Sequence, residues 1–234
     1  MSLQRGLAAG LLAGLFALLV GEVVLEQAVA IERAAVADQA HVAPPLVDRA
    51  VQRALVPVST AIVGSAIGGM FGVAWMGLRP RMRESSDWRA SLKLGGCAWA
   101  TVALFPGLVH PATPPAAGAA GTIGARATWF VTTIGAGVTA ALVLWRWARS
   151  LDRRGWRVLA RRGAVVAATV LLFAALYVLL PAGRETVGVP APLVWDFRVA
   201  TFATQLLLWS AITVGFGLLT HRAAQRGQAH GKEA

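Results

Sequence analysis

The chain has 234 residues, of which 56% are hydrophobic and only 14% are charged, and its mean hydropathy is +0.61. Charged residues make up about 25% of an ordinary soluble domain, so this composition excludes a soluble globular protein and indicates an integral membrane protein. The formal net charge of +11 does not indicate a nucleic-acid partner, because the basic residues cluster beside apolar segments. We expect the protein to be embedded in a lipid bilayer.

Six apolar segments are long enough to cross a bilayer, whose hydrocarbon core needs about 20 residues of helix. Their approximate bounds are 6–25, 55–78, 91–109, 127–147, 163–181 and 199–220. The sequence therefore predicts an all-α integral membrane protein, a six-transmembrane-helix bundle in a single domain over residues 1–234. The first segment also has the outline of a signal peptide, but its length and two following glutamates favour a retained span.

Lysine and arginine are distributed unequally between the two sides of the predicted bundle. Sixteen of the 22 basic residues lie in segments on the side of the N-terminus, and the outer loops hold six basic residues against seven acids. Because basic residues concentrate on the cytoplasmic side of membrane proteins, both termini are predicted to be cytoplasmic.

Glycines recur every four residues in the first two spans. Gly10 and Gly14 follow Gly6 in the first, and Gly64 and Gly68 precede Gly72 in the second. Such spacing gives each helix a flat strip along which another backbone can approach closely. We therefore expect the first two spans to pack together through Gly10, Gly14, Gly64 and Gly68.

Polar residues inside the spans need a partner or a water-filled cavity, because hydrocarbon offers neither. Arg198, Thr201 and Gln205 lie on one face of the sixth span. A second strip of polar or small residues descends the fourth span, at Thr128, Thr132, Gly135 and Thr139. We expect both strips to face the interior of the bundle, with a carboxylate beside Arg198. The alternative is that the threonines bond their own helix and that Arg198 extends to the outer surface.

Two carboxylates interrupt the apolar stretch GLLAGLFALLVGEVVLE near its outer end. Glu22 and Glu26 are one helical turn apart, and Glu22 lies about 24 Å into a hydrocarbon core of about 30 Å. The pair suits a divalent cation, but it also suits an ion pair with Arg198 or Arg126, or exposure to water at the interface. Depth favours a functional Glu22 and an interfacial Glu26.

Imidazole and carboxylate are the ligands expected for a borderline divalent transition-metal ion. The candidate metal ligands on the outer side are Glu22, Glu26, His41 and His110. No two histidines have the spacing of a preformed helical site, so any site must assemble from different segments. His110, beside Pro111, also fits an ordinary interfacial residue.

The sequence contains no phosphate-binding loop, zinc-protease helix or nucleophile elbow. We therefore expect neither an enzyme nor a permanently bound cofactor. Transport without ATP is physically feasible, because a divalent cation moving inward gains about 4.6 kcal/mol per 100 mV of membrane potential.

Four groups of residues follow one another along the chain: GLAAGLLAGLFALLVGEVVLEQAVAIE, VDRAVQRAL, HPATPP with TIGARATWF, and VWDFRVATFATQLLLWS. In this order they resemble the landmarks of the CbtA family of predicted cobalt transporter subunits. The positions that match family landmarks are Glu22, Arg53, Pro114, Pro115, Gly124, Arg198, Thr204 and Gln205. Many relatives carry a histidine-rich run in the first outer loop, whereas this chain has His41 alone there.

The resemblance implies a bacterial inner-membrane protein that takes up cobalt(II) for cobalamin supply. It also implies a small one-span partner subunit that bears a histidine motif. Two hypotheses follow. The chain is a transport subunit whose outward-facing entry is formed by the first and sixth spans, or it is a non-conducting structural or assembly subunit that binds another membrane protein.

Overall fold

A computed structural model describes residues 2–36, 48–114, 123–181 and 189–230, and within these ranges the regular structure is entirely helical. Six helical segments there are long and apolar enough to span a membrane. They are Leu7–Ile31, Arg49–Arg81, Asp87–Val109, Ile123–Arg153, Val158–Leu179 and Ala191–His221. The predicted all-α fold with six transmembrane helices is confirmed, and most helices extend beyond their predicted ends. The side of the membrane on which the termini lie stays a prediction.

Eight α-helices make up these segments. They are α1 (Ser2–Phe16), α2 (Glu22–Val36), α3 (Arg49–Leu78), α4 (Asp87–Trp99), α5 (Phe105–Val109), α6 (Ile123–Arg153), α7 (Val158–Leu179) and α8 (Ala191–His230). Asp48 caps the start of α3, because its side chain accepts a hydrogen bond from the Ala50 N–H at 3.1 Å.

The first and third spans are each interrupted by a wider, π-helical turn, at Ala17–Gly21 and Ala100–Leu104. The second of these turns precedes Pro106, whose ring collides with the carbonyl four residues earlier in a regular helix. The wider turn relieves that collision. The first turn contains no proline, and its defining bond runs from the Glu22 N–H to the Ala17 carbonyl.

The described helices form two compact units. The first comprises Met1–Gly96, Thr113–Ala116 and Gly188–Ala234, and the second comprises Cys97–Ala112 and Ala117–Val187. The first unit contains α1, α2, α3 and α8 together with most of α4. The second unit contains α5, α6 and α7.

Small residues and aromatic rings hold the first unit together. Phe216 of α8 packs edge-on against Phe71 and Trp75 of α3, with ring centroids 5.2 Å and 5.1 Å apart. Ser91 of α4 is fully buried and donates a hydrogen bond to the Thr213 carbonyl of α8 at 2.8 Å. A polar side chain that is buried in a membrane span therefore has its partner on a neighbouring helix.

The second unit is built around the wide turn of the third span. Gly137 of α6 faces this turn, and a Cβ added to it would lie 3.0 Å from the Thr101 carbonyl oxygen. Phe105 is buried and contacts Phe173 of α7 edge-on, with ring centroids 4.8 Å apart. No residue of α7 itself is buried in the described chain.

Candidate functional site

Glu22 is the charged residue that the described fold buries most completely, with 3% of its surface exposed. It is the first residue of α2 and follows the π-helical turn directly. A carboxylate at this place in an apolar span requires a compensating charge, and α3 supplies that charge.

The π-helical turn determines which way Glu22 points. In a regular α-helix each residue advances by about 100°, so Glu22 would lie about 120° around the helix from Gly10. The wide turn takes up one additional residue, which brings Glu22 to about 20° from Gly10 and Glu26 to about 60°. The carboxylates therefore lie on the same side of the span as the glycines that contact α3.

Two arginines of α3 pair with these carboxylates. Arg49 donates from Nη2 to Glu22 Oε2 at 2.7 Å, and Arg53 Nε lies 3.5 Å from the same oxygen. Arg53 Nη1 also lies 2.6 Å from Glu26 Oε1. The two pairs differ in environment, because the Arg49 side chain is 22% exposed whereas those of Arg53 and Glu26 are 46% and 51% exposed.

One of the interpretations offered for Glu22 was an ion pair with Arg198 or Arg126, whereas the carboxylate pairs with Arg49 and Arg53. The signal was present in the sequence, since both the glutamates and the arginines are four residues apart on successive antiparallel helices. Arg198 is half-buried on α8 in the first unit.

Gly10 and Gly14 lie directly against α3. A Cβ added at Gly10 would be 2.3 Å from the Thr60 carbonyl oxygen, and one at Gly14 would be 2.7 Å from the Pro57 Cα. Gly64 and Gly68 are buried further along α3. The close approach of α1 and α3 brings Arg49 and Arg53 within reach of the glutamates on α2.

The polar strip predicted on α6 does not face the interior. Thr128 and Thr132 are exposed, and their hydroxyls donate to the Gly124 and Thr128 carbonyls of the same helix at 2.9 Å and 2.8 Å. The buried face of α6 instead carries Thr133 and Gly137. Hydrogen bonds to the helix's own backbone remove the need for an inward orientation, which is why the expectation was wrong for these threonines.

The polar residues of α8 are half-buried. The hydroxyls of Thr201 and Thr204 donate to the Phe197 and Ala200 carbonyls of their own helix, each at 2.8 Å. Gln205 is also half-buried. All three belong to the first unit, as does Arg198.

His110 follows the last residue of the third span and is half-buried. Its Nε2 lies 2.8 Å from the hydroxyl of Thr133, which is itself fully buried and donates to the Trp129 carbonyl. When that hydroxyl proton points to Trp129, Nε2 is the donor to Thr133 and Nδ1 retains its lone pair. Desolvation lowers the pKa of His110 and favours this neutral form.

The four candidate metal ligands are placed differently. Glu22 and Glu26 lie in the first unit and His110 in the second, while His41 and the family landmark Pro115 lie outside the described residues. Within the described part of the chain, no three His, Cys, Asp or Glu side chains converge as a metal site would require. Glu22 and Glu26 are the two that the fold brings together, and both are paired with arginine.

Six apolar spans with a buried, arginine-paired carboxylate define a multi-pass membrane protein with a charged site inside one of its spans. The family model for the probable cobalt transporter subunit, CbtA, matches residues 1–221, and the chain belongs to this family. The word subunit in that description implies a partner in a transporter complex. No curated protein and no solved structure is recognisably similar to the chain.

Proposed function

We propose that this chain forms the path by which Co²⁺ crosses the cytoplasmic membrane of a bacterium to supply cobalamin synthesis, and that Glu22 receives the ion on entry. The main support for this proposal is that Glu22 is buried inside a span and forms an ion pair with Arg49 of the next helix. Ionisable residues inside membrane spans are costly and commonly mark ion pathways.

While the ion pair between Glu22 and Arg49 is intact, the entry is closed to the cation. Arg49 holds Glu22 through one guanidinium nitrogen, while its own Nε is buried without a hydrogen-bond partner in the described chain. A partly satisfied buried pair is weaker than a fully bonded one, so an incoming divalent cation competes with Arg49 for the carboxylate. Glu26, one turn further out and half exposed, is an interfacial residue paired with Arg53 and does not hold the ion.

Carboxylates alone make a poor Co²⁺ site, because this ion also favours imidazole. A small one-span partner with a histidine motif supplies those ligands in the complex. The chain itself needs no ATPase, since a membrane potential of 100 mV gives an inward-moving divalent cation about 4.6 kcal/mol. With both termini cytoplasmic, Glu22 lies in the outer half of its span, where entry requires it.

The competing function is a non-conducting assembly subunit. One observation favours it: Arg49 and Arg53 already neutralise Glu22, so the carboxylate serves equally well to lock α2 onto α3. In that case the site holds the fold and another protein conducts the ion.

Uptake and stability measured on the same variants separate the two functions. Glu22→Gln alone leaves Arg49 unpaired, so it lowers the free energy of unfolding by about 3 kcal/mol whichever function is right. The double variant Glu22→Gln/Arg49→Gln removes both charges and restores stability to within about 1 kcal/mol of the wild type. If Glu22 receives the ion, the double variant is stable but takes up no radioactive cobalt.

The assay uses cells without their own cobalt uptake that express the chain together with its partner. Glu26→Gln is the matched control, because it removes an exposed carboxylate of the same helix and we expect it to retain most uptake. Normal uptake by the stable double variant would reject the entry role and leave the assembly function.

A further inference from the structure

The segment with the highest density of positive charge is Arg146–Arg162, which comprises the end of α6, the turn that follows and the start of α7, and is here called the arginine turn. It contains seven arginines, no lysine and a single acid, Asp152. Asp152 already forms an ion pair with Arg161, which ties the end of α6 to the start of α7. A single acid cannot balance seven arginines, so the segment carries a net positive charge.

The guanidinium groups point outward from the unit. Arg153, Arg154, Arg157 and Arg162 are exposed, and none of them forms a side-chain hydrogen bond or ion pair with another described residue. Arg157 also stands at the start of α7, whose first turn has no side-chain cap. The first N–H groups of α7 thus add donors to the same surface.

The other basic segment of the chain, Arg79–Lys93, provides an internal comparison. It holds five basic residues and two acids, and both acids are paired within the segment, Asp87 with Arg79 at 2.6 Å and Glu84 with Lys93. The hydrogen bond from Lys93 is the main cause that lowers the pKa of Glu84, and the positive charges of Lys93, Arg89 and Arg79 lower it further. Membrane topology alone accounts for a basic segment of this kind, but it does not require unpaired arginines.

Apolar side chains flank the arginines of the turn. Trp156 is 46% exposed and Leu159 is 85% exposed, and both lie within three residues of Arg157. Tryptophan and leucine beside arginine at the end of a span suit the boundary between headgroups and acyl chains. A free phosphate ion would contact only the arginines, whereas a phospholipid would contact both kinds of side chain.

We propose that the arginine turn binds the headgroups of anionic phospholipids in the adjoining membrane leaflet. The guanidinium groups of Arg154 and Arg157 donate paired N–H groups to the phosphate oxygens, which arginine does better than lysine. Trp156 and Leu159 lie against the upper part of the acyl chains. This binding is independent of cobalt transport, since no residue of the arginine turn belongs to the Glu22 site.

The test measures lipid retained by the purified, detergent-solubilised full-length chain, using native mass spectrometry with dioleoyl-phosphatidylglycerol and dioleoyl-phosphatidylcholine. The wild type should retain phosphatidylglycerol in preference to phosphatidylcholine. Arg154→Gln/Arg157→Gln should weaken that binding about 25-fold, which is about fivefold for each arginine. The matched control Arg83→Gln/Arg89→Gln removes two charges from the other basic segment and should leave the preference unchanged.

Three further outcomes would overturn the proposal. An equal loss in both double variants would show nonspecific attraction by positive charge, and no loss in either would place the lipid elsewhere. Inorganic phosphate that displaces phosphatidylglycerol at millimolar concentration would show a free-anion site. If the glutamine variant fails to fold, Arg154→Lys/Arg157→Lys replaces it in the test, because it preserves charge and membrane topology. We expect this lysine variant to bind phosphatidylglycerol only a few fold more weakly than the wild type.

Discussion

The first span and α7 are both strongly apolar helices, yet they pack in opposite ways. Gly10 and Gly14 allow α1 to approach the backbone of α3, and Ala9 and Ala13 beside them are almost fully buried. No residue of α7 is buried, and Leu159, Val178 and Leu179 are among its most exposed side chains. Since lipid is as apolar as leucine, hydrophobicity inserts both helices but brings only the one with small residues into close contact.

The strongest way to break this comparison is to add bulk at the close contact. Gly10→Leu places a side chain where the Thr60 carbonyl oxygen already lies 2.3 Å from an added Cβ. Because the obstacle is backbone and cannot rotate away, we expect the free energy of unfolding to fall by about 3 kcal/mol or more. Thermal unfolding in detergent measures the effect.

The matched control is Gly163→Leu on α7, where nothing lies within 4 Å of an added Cβ. This variant should unfold at the temperature of the wild type or slightly above it, since leucine favours helix more than glycine. Equal destabilisation by the two substitutions would show that close packing at small residues does not distinguish α1 from α7.

The second prediction concerns the arginines of α3. Arg49→Gln leaves the buried Glu22 with only the longer contact to Arg53, and we expect a loss of about 2 kcal/mol. Arg53→Gln affects a pair whose side chains are about half exposed, so its loss should stay below about 1 kcal/mol. Chemical denaturation of both variants gives the ranking, and the reverse order would mean that Arg53 is the principal partner of Glu22.

A third test sharpens the description of α7. Its Phe173 makes an edge-on ring contact with Phe105 of α5. Phe173→Leu should reduce stability by about 1 kcal/mol, because the ring contact is lost while most of the apolar volume is kept. Leu171→Ala, at a position with 70% exposure on the same helix, should have no measurable effect in the same unfolding assay.

The smallest expected effect is the pH dependence from His110. Because desolvation lowers its pKa, the folded state binds fewer protons than the unfolded state below the usual histidine value of about 6.5. The stability from neutral His110 is therefore complete above that value and falls as the pH drops toward the folded-state pKa. Unfolding temperatures from about pH 5 to 7.5 should depend less on pH in His110→Gln than in the wild type.

The sequence predicted the six spans because length and apolar composition determine insertion directly. The glycine spacing also predicted that α1 packs against α3. The residues opposite Gly10 and Gly14, however, are Pro57, Thr60 and Ala61 rather than glycines. The arginines that hold Glu22 were missed because residues 49–53 lie outside the predicted second span, 55–78. The helix begins earlier than hydrophobicity indicates, so its first turns carry charge.

Threonine orientation was harder to predict for a different reason. The hydroxyl of a threonine in a span can donate a hydrogen bond equally well to a carbonyl of its own helix or to a neighbouring helix. The presence of Thr128 and Thr132 therefore does not indicate which face of α6 turns inward. The adjacent Thr133, which is fully buried, differs only in its position around the helix. Which face of α6 turns inward depends on Gly137 and its contact with the third span, and that contact is between residues distant in sequence.

The π-helical turn at Ala17–Gly21 makes chain length itself a determinant of the ion pair. Deletion of a single residue there, such as Val20, would leave eleven regular steps of about 100° between Gly10 and Glu22, which again places Glu22 about 20° from Gly10. The ion pair with Arg49 should therefore survive that deletion although the wide turn disappears. Insertion of one residue at the same place would instead turn Glu22 about 100° away from Arg49, although no charged or glycine residue had been altered.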